Sequence, residues 1–545
     1  MSNSNNSISP FYPNIPLNIG VDINMNDKKI INIGDPVNPK DAVNKNYVDA
    51  AVASGAGGSG GGGSGGAQGP AGAQGPAGAQ GPTGQKGDSA TGLTGTSFPP
   101  WNSPTTATGY FKQYMYAFKD NIYSTIISGD TLITPSGEYP GVNASFSGGV
   151  LLPDGRVFCV PSKSTTARIY DPVADILTTP SGEYLDDYQA FSGGVLLHDG
   201  RVFCVPSEST TARIYDPVTD TLTTPTATFP GNQSFNGGVL LSDGRVFCLP
   251  YASTTAAIYD PVTDALTTPI GTCEGYQSFI GGVLMPDGRV FCVPYRNGTA
   301  SIYDPVTDTL TTSTAMFPVG GYCGGVLLPN GKVFCVPYNN TTAIIYDPVT
   351  DTLTPTGLYP GNGAFFGGVL MPNGKVFCVP FASTTARIYD PVTDTTTSST
   401  GSYPGNGAFA GGVLMPNGKV FCVPCYSTTA RIYDPDTNTT TTPTGSYPGS
   451  NAFMGGVLLP NGKVFCVPYA STTARIYDPV TDTTTTPTGS YPGSNAFIGG
   501  VLMPNGKVFC VPARSTTARI YSIINGYDSI NLDMNFVLSP FNNNF

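Results

Sequence analysis

Short runs of apolar residues alternate with polar, turn-forming residues along most of this sequence, and one such run occurs nine times with small variations. In the copy that begins at Gly367 it reads Gly-Gly-Val-Leu-Met-Pro-Asn-Gly-Lys-Val-Phe-Cys-Val-Pro. The Val-Phe-Cys phrase recurs every 43 to 45 residues, and its cysteines are Cys159, Cys204, Cys248, Cys292, Cys335, Cys378, Cys422, Cys466 and Cys510. A fixed period of this length indicates a solenoid, a propeller or another repeat array.

One repeat predicts four short strands. Its polar segments, Pro-Asn-Gly and Asp-Pro-Val-Thr-Asp, have the composition of tight turns, because Asn, Asp and Gly tolerate positive φ and Pro presets φ. The Val-Phe-Cys-Val strand shows no polar alternation and should be buried on both faces, whereas the Thr-rich last strand suits a polar outer edge. The predicted strands are Gly367–Pro372, Lys375–Pro380, Ala386–Asp390 and Thr395–Ser398.

The phrases GGVLLPDGRVFCVP and TTARIYDPVTDTLTT resemble the kelch repeat, in which an Asp/Asn-Gly turn precedes the second strand and Tyr-Asp-Pro ends the third. The sequence departs from kelch repeats where Val-Pro replaces a Gly-Gly pair and where Leu or Thr replaces a Trp of the fourth strand. The resemblance implies a β-propeller of four-stranded blades. It is nearly silent on function, because propellers of this kind serve many roles.

We therefore predict an all-β, kelch-like head, residues 122–545, that closes into a single propeller of about nine four-stranded blades. Nine blades exceed the usual four to eight. Two flanking segments bear on how the ring closes. Tyr123–Tyr139 looks like an extra pair of third and fourth strands, and Ile520–Phe541 is a candidate closing strand.

Glycine stands at every third position ahead of the head, from Gly57 through Gly87. Only glycine fits at the axis of a collagen triple helix, so this spacing predicts a collagen-like stalk within residues 54–96. The alternative is a flexible Gly-rich linker. A junction, residues 97–121, would join the stalk to the head. The clearest axial glycines are Gly66, Gly69, Gly72, Gly75, Gly78, Gly81, Gly84 and Gly87.

The N-terminal segment, residues 1–53, is predicted to anchor and trimerise the chain. A short helix over Pro39–Ala53 would place Val43, Tyr47 and Ala50 on one narrow stripe, suited to pairing with copies of itself. The wording M-N-x-K-K-I-x-N-I-x-D-P-V within Val21–Asp49 closely resembles a segment of tail-fibre and appendage proteins of phages and large DNA viruses. That resemblance implies a shaft after this segment and trimeric assembly near the particle.

The composition excludes several partners. A net charge of −11 disfavours nucleic acid, which needs clustered Lys and Arg. No apolar run is long enough to span a bilayer, and no apolar signal sequence is visible near Met1, so we expect no membrane insertion and synthesis in the cytoplasm. Six repeats carry an equivalent arginine, which we interpret as a solvated strand-edge charge: Arg168, Arg213, Arg387, Arg431, Arg475 and Arg519.

The twelve cysteines do not resemble a disulfide framework, because nine occupy one repeat position. We expect those nine to be small buried hydrophobes, made in a reducing compartment. Cys273, Cys323 and Cys425 lie outside the repeat position and are the candidates for reactive thiols.

No catalytic constellation is apparent. The only histidine, His198, stands where other copies have Pro or Ser, and no cluster of imidazoles or thiolates suits a copper or zinc centre of the galactose-oxidase type. The recurring Asp pair, for example Asp216 and Asp220, is better explained by turn formation than by calcium. We therefore predict no enzyme activity, no metal and no cofactor.

These patterns together predict a homotrimeric appendage on the surface of a virus particle, joined to a capsid or tail component through its N-terminal segment. The head would attach to a receptor or glycan of the host surface, with weak contacts multiplied over three heads. Two alternatives stay open. The head could be a glycan-cleaving propeller, which requires a carboxylate pair, or the chain could be a cellular adhesin with a collagen-like stalk.

Overall fold

Nine antiparallel sheets of four strands make up the part of the chain that the computed structural model describes. That part comprises residues 130–137, 139, 145–182, 189–225, 228–296, 298–313 and 321–523. It contains strands and turns but no helix, and so no helix able to cross a bilayer. The predicted all-β fold and nine four-stranded blades are confirmed. The predicted anchor, stalk and junction, residues 1–121, lie outside the described residues, as do all the predicted axial glycines.

The first described strand, β1 (Asp130–Ile133), belongs to the ninth blade, and eight blades of four consecutive strands follow it. Blade 1 contains β2 (Phe146–Leu151), β3 (Val157–Pro161), β4 (Arg168–Asp171) and β5 (Ile176–Thr178). Blade 2 contains β6 (Phe191–Leu196), β7 (Val202–Pro206), β8 (Arg213–Asp216) and β9 (Thr221–Thr223). Blade 3 contains β10 (Phe235–Leu240), β11 (Val246–Pro250), β12 (Ala257–Asp260) and β13 (Ala265–Thr267).

Blades 4 to 6 continue the same order. Blade 4 contains β14 (Phe279–Leu284), β15 (Val290–Pro294), β16 (Ser301–Asp304) and β17 (Thr309–Thr312). Blade 5 contains β18 (Tyr322–Leu327), β19 (Val333–Pro337), β20 (Ala343–Asp347) and β21 (Thr352–Thr356). Blade 6 contains β22 (Phe365–Leu370), β23 (Val376–Pro380), β24 (Arg387–Asp390) and β25 (Thr395–Ser398).

Blades 7 to 9 complete the ring. Blade 7 contains β26 (Phe409–Leu414), β27 (Val420–Pro424), β28 (Arg431–Asp434) and β29 (Thr439–Thr441). Blade 8 contains β30 (Phe453–Leu458), β31 (Val464–Pro468), β32 (Arg475–Asp478) and β33 (Thr483–Thr485). Blade 9 contains β34 (Phe497–Leu502), β35 (Val508–Pro512), β36 (Arg519–Ile523) and, outermost, β1.

Burial across a blade follows the sequence pattern. The second strands are buried at every position, as their unbroken apolar run predicts, and most residues of the fourth strands are half-buried or exposed. The first strands of neighbouring blades contact each other and are therefore innermost. Each first strand has a register shift after its leading aromatic residue, for example between Phe365 and Gly368.

The two predicted turns have side-chain supports. In the turn between third and fourth strands, the Asp216 carboxylate accepts the Val218 N–H at 2.8 Å, and the Tyr215 hydroxyl donates to the Asp220 carboxylate at 3.0 Å. Asp220 has a φ of 54°, a conformation that Asp tolerates better than most residues. In the turn between first and second strands, positive φ falls on the glycine of each Asp/Asn-Gly pair, for example 78° at Gly374.

Aromatic stacking joins every blade to the next. A phenylalanine of each second strand stacks on a tyrosine of the following blade's third strand, with ring centroids 4.5–5.1 Å apart. Such pairs contribute about 0.5–1.5 kcal/mol beyond the area they bury. The pairs are Phe158–Tyr215, Phe203–Tyr259, Phe247–Tyr303, Phe291–Tyr346, Phe334–Tyr389, Phe377–Tyr433, Phe421–Tyr477, Phe465–Tyr521 and Phe509–Tyr170.

The ring closes through β1, which pairs with β36 in the register Asp130↔Ile523 and Ile133↔Ile520. The segment Tyr123–Tyr139 therefore supplies the fourth strand of blade 9, while the third strand comes from the other end of the chain. The segment Ile520–Phe541, predicted as a closing strand, contributes to that third strand, and its residues from 524 onward lie outside the described part. A blade built from both ends links them by strand pairing.

The propeller has two faces with different contents. We call the side that carries the turns between first and second and between third and fourth strands the turn face. The opposite side, with the connections between second and third strands and between successive blades, is the loop face. Since Asp130 pairs with Ile523 at the end of the third strand, the chain enters β1 and leaves β36 at the turn face.

The glycine pair of the first strand offers a matched test of blade packing. A Cβ on Gly412 would lie 2.8 Å from a Val369 methyl and 2.9 Å from a Val379 methyl of the preceding blade, whereas a Cβ on Gly411 meets nothing within 4 Å. We expect Gly412→Ala to destabilise the propeller by about 1–3 kcal/mol through overpacking. Gly411→Ala is the control and should unfold like the parent. Equal unfolding midpoints for the two variants, measured by circular dichroism, would contradict this packing.

Candidate functional site

The nine cysteines that mark the repeats lie in the second strands, one per blade, and each is 0% exposed. Each packs in the apolar cluster between two blades. Burial raises the pKa of eight of these thiols, and beside Cys159 the charge of Arg168 offsets only part of that rise. The eight are Cys159, Cys248, Cys292, Cys335, Cys378, Cys422, Cys466 and Cys510. All twelve cysteines lie in the described part of the chain, and they form no disulfide with one another. The nine residues serve packing.

Of the three remaining cysteines, Cys273 and Cys425 lie in connections on the loop face, and Cys323 lies in the first strand of blade 5. Burial raises the pKa of Cys273 and of Cys425 to about 11, and that of Cys323 to about 12. Cys425 donates to the Asn451 side-chain oxygen at 3.0 Å, and Cys273 donates to the Ser253 carbonyl at 3.6 Å. A thiol held protonated in this way is a poor nucleophile at neutral pH.

The other candidate residues are separated. His198 is exposed in the turn between β6 and β7, on the turn face. Asp216 and Asp220 use their carboxylates to accept hydrogen bonds within their own turn. Over the described ranges, no group of three or more His, Cys, Asp or Glu side chains is placed to hold a metal ion.

The equivalent arginines form hydrogen bonds with loop residues. This differs from the sequence-based interpretation of these arginines as solvated edge charges. Arg431 donates to the Thr429 hydroxyl at 2.7 Å, to the Ala430 carbonyl at 3.0 Å and to the Ser402 carbonyl at 3.0 Å. Arg213 is only 8% exposed. These side chains fasten the third strand to the loops of the loop face.

A collar of backbone hydrogen bonds encircles the loop face. It alternates between the first residue after each second strand and the last residue before each first strand. From Tyr338 around the ring to Tyr295, each N–H donates to the preceding carbonyl at 2.7–3.3 Å. The bonds run in succession from Gly321 around the ring to Tyr295. The collar residues are Ser145, Ser162, Ala190, Ser207, Ser234, Tyr251, Ser278, Tyr295, Gly321, Tyr338, Ala364, Phe381, Ala408, Cys425, Ala452, Tyr469, Ala496 and Ala513.

The side chain at one collar position, directly after the second strand, differs between blades. The residue after each second strand is small in blades 1, 2, 7 and 9. It is aromatic in blade 8, where it stands alone as Tyr469, and in four successive blades, 3 to 6. We call those four residues, Tyr251, Tyr295, Tyr338 and Phe381, the aromatic arc. All four are half-buried, so part of each ring faces solvent on the loop face.

The members of the arc are neighbours in space. The Tyr338 and Phe381 ring centroids lie 6.5 Å apart at 41°, and Phe366 of the first strand packs 5.4 Å from Phe381. Burial raises the pKa of Tyr338, and the Tyr295 hydroxyl raises it further. The same holds for Tyr251, whose pKa burial raises and Tyr295 raises further. Tyr295 therefore lies between the other two tyrosines.

Polar groups and one strained tyrosine lie at the blade 3 end of the arc. The Arg296 guanidinium lies 5.8 Å from the centre of the Tyr295 ring, and its backbone N–H donates to the Gln277 carbonyl at 3.1 Å. Tyr276 is 70% exposed and has a φ of 78°, which is unusual for an aromatic residue. The side-chain oxygen of Gln277 is buried, and no described residue donates a hydrogen bond to it.

The aromatic arc was not among the sites predicted from the sequence. The signal was the residue that follows each Val-Pro or Leu-Pro, which changes between repeats while the strand before it stays constant. Recognising the arc also required the collar, because the collar places residues 43 or 44 positions apart side by side.

No protein-family model and no curated protein matches the sequence. Among solved structures, a catalytically inactive virginiamycin B lyase from Staphylococcus aureus with quinupristin is 10% identical, with a TM-score of 0.37, over 53% of this chain and 94% of that one. Kuenenia stuttgartiensis hydrazine synthase is 13% identical, with a TM-score of 0.36, over 56% and 97% of the two chains.

A fungal alcohol oxidase of the AA5 family, in complex with copper, is 13% identical with a TM-score of 0.37. The match covers 74% of this chain and 100% of that one. Likenesses this remote carry no information about what the present chain binds or catalyses.

The buried cysteines predict a resistant pattern of thiol labelling. In the native protein at neutral pH, we expect maleimide to leave the nine second-strand cysteines unmodified, because they are inaccessible and protonated. Peptide mapping by mass spectrometry checks this, with the denatured protein as the control in which all twelve cysteines react. Rapid native labelling of Cys378 or its equivalents would show that the blades open far more readily than this packing allows.

Proposed function

We propose that this chain is a fibre protein of a virus particle, made in the host cytoplasm and displayed on the particle surface. In this proposal residues 1–53 join the chain to a capsid or tail component, residues 54–96 form a trimeric collagen-like stalk, and the propeller attaches to the host. Two sequence features support it. They are the resemblance of Val21–Asp49 to tail-fibre segments and the glycine at every third position from Gly57 to Gly87.

The observation that carries the attachment role is the polarity of the propeller. Both connections to the rest of the chain, at Asp130 and Ile523, leave from the turn face. The loop face lies opposite both of these connections. The loop face is also where constant repeats present different side chains, as expected for binding residues on a rigid scaffold.

We propose that the loop face binds its ligand rather than cleaves it. Glycoside hydrolysis needs two carboxyl groups flanking the scissile bond. On the described part of the loop face the carboxylates are Glu208, in a connection of blade 2, and Glu274, in the connection between blades 3 and 4. The aromatic arc, by contrast, offers contact area and no acid–base pair.

Immunogold electron microscopy tests the proposed location. Antibodies raised against the propeller should label the surface of intact virus particles, and preimmune serum is the matched control. Gold on the surface of uninfected cells, with unlabelled particles, would instead support the cellular adhesin and contradict a viral fibre.

A further inference from the structure

We propose that the aromatic arc is a binding site for an extended glycan of pyranose rings, laid along the rim of the loop face from blade 3 to blade 6. This inference rests on the proposed attachment role and specifies its ligand class and residues. The sequence predicted only attachment to a receptor or glycan, with no residues assigned to it. The arrangement of Tyr251, Tyr295, Tyr338 and Phe381 points to a place and a mode.

The aromatic arc is a row of rings separated by small residues. Four half-buried rings follow one another at a single repeat position, and the collar residues between them are small: Ser278, Gly321 and Ala364. Rings separated by small residues make a row of shallow contact sites. A chain of linked rings, each with an apolar C–H face, fits such a row because C–H groups pack on the electron-rich face of an aromatic ring.

The backbone of the arc residues is held by the hydrogen bonds of the collar. The Phe381 N–H donates to the Ala364 carbonyl, and its own carbonyl accepts the Ala408 N–H of the next blade, both at 2.8 Å. Tyr251 is clamped in the same way by Ser234 and Ser278, at 2.8 and 2.9 Å. Because both sides of Tyr251, Tyr338 and Phe381 are fixed, and Tyr295 is held through its N–H, little backbone entropy is lost when a ligand stacks on these rings.

Polar groups of Arg296 and Gln277 lie beside the rings. A sugar has a hydroxyl rim that must find hydrogen-bonding partners when it is desolvated. Arg296 is exposed over Tyr295, with no carboxylate of the described chain in ion-pair contact. The buried Gln277 amide oxygen has no donor from a described residue, and turning that amide toward a ligand hydroxyl relieves the deficit.

Charge and burial disfavour other occupants. The chain is acidic, with a net charge of −11, and Arg296 is the one cationic residue at or directly after an arc position, so a nucleic acid finds no basic track. A protein partner of ordinary affinity uses a contiguous apolar centre. Here the rings are only half exposed, and small collar residues separate them.

Serine variants test the arc without disturbing the blade. Ser162 and Ser207 occupy the same repeat position in blades 1 and 2, so serine is already compatible with the collar. The full chain is applied to an array printed with neutral hexose, N-acetylhexosamine and uronic acid oligosaccharides. We expect the parent to bind, each of Tyr251→Ser, Tyr295→Ser and Tyr338→Ser to bind about tenfold more weakly, and the triple variant to lose binding.

Tyr469→Ser is the matched control, because Tyr469 has the same collar position in blade 8, between blades with small residues there. It should bind like the parent, and all variants should keep the parent's unfolding midpoint. If the triple variant binds glycans as well as the parent does, the arc is not the site. If the parent binds no printed glycan while antibodies still label particles, the glycan assignment is wrong and the fibre proposal survives.

Discussion

The fit between the innermost strands of neighbouring blades is the constraint on which the propeller depends. At the second glycine of each pair, an added Cβ would lie 2.7–3.0 Å from the nearest valine methyl of the preceding blade. This close approach brings each second-strand phenylalanine onto the next blade's tyrosine. Repeated around the ring, and completed by Tyr170 on Phe509, these contacts leave the first and last blades as well joined as any other pair.

The same framework explains where function can reside. In every blade, strand residues pack in the core and turn carboxylates accept hydrogen bonds, so substituting them costs stability. Collar side chains have no such shared role, because the collar is made by backbone groups and accepts serine, alanine, cysteine or tyrosine. Variation there is therefore compatible with a constant fold. The aromatic arc of blades 3 to 6 is the clearest example of such variation, and it lies on the face opposite both chain connections.

Much of the fold could be predicted because each repeat contains the apolar runs of its strands and the Asn, Asp, Gly and Pro residues of its turns. The predicted Lys375–Pro380 strand differs by one residue from the observed β23. Closure was harder, since β1 has only four residues, and both flanking segments resembled strands. The role of Arg431 and the arc could not be predicted, because both depend on distances between loops that the repeat pattern does not specify. The anchor and stalk remain predictions.

The proposed fibre displays three propellers on one collagen-like stalk. The native mass of the purified protein, measured by light scattering before and after bacterial collagenase, tests this arrangement. We expect three times the 56.6 kDa chain mass before digestion and single propellers afterwards. A monomer before digestion would contradict the triple helix, and the viral fibre proposal would then rest on the N-terminal segment alone.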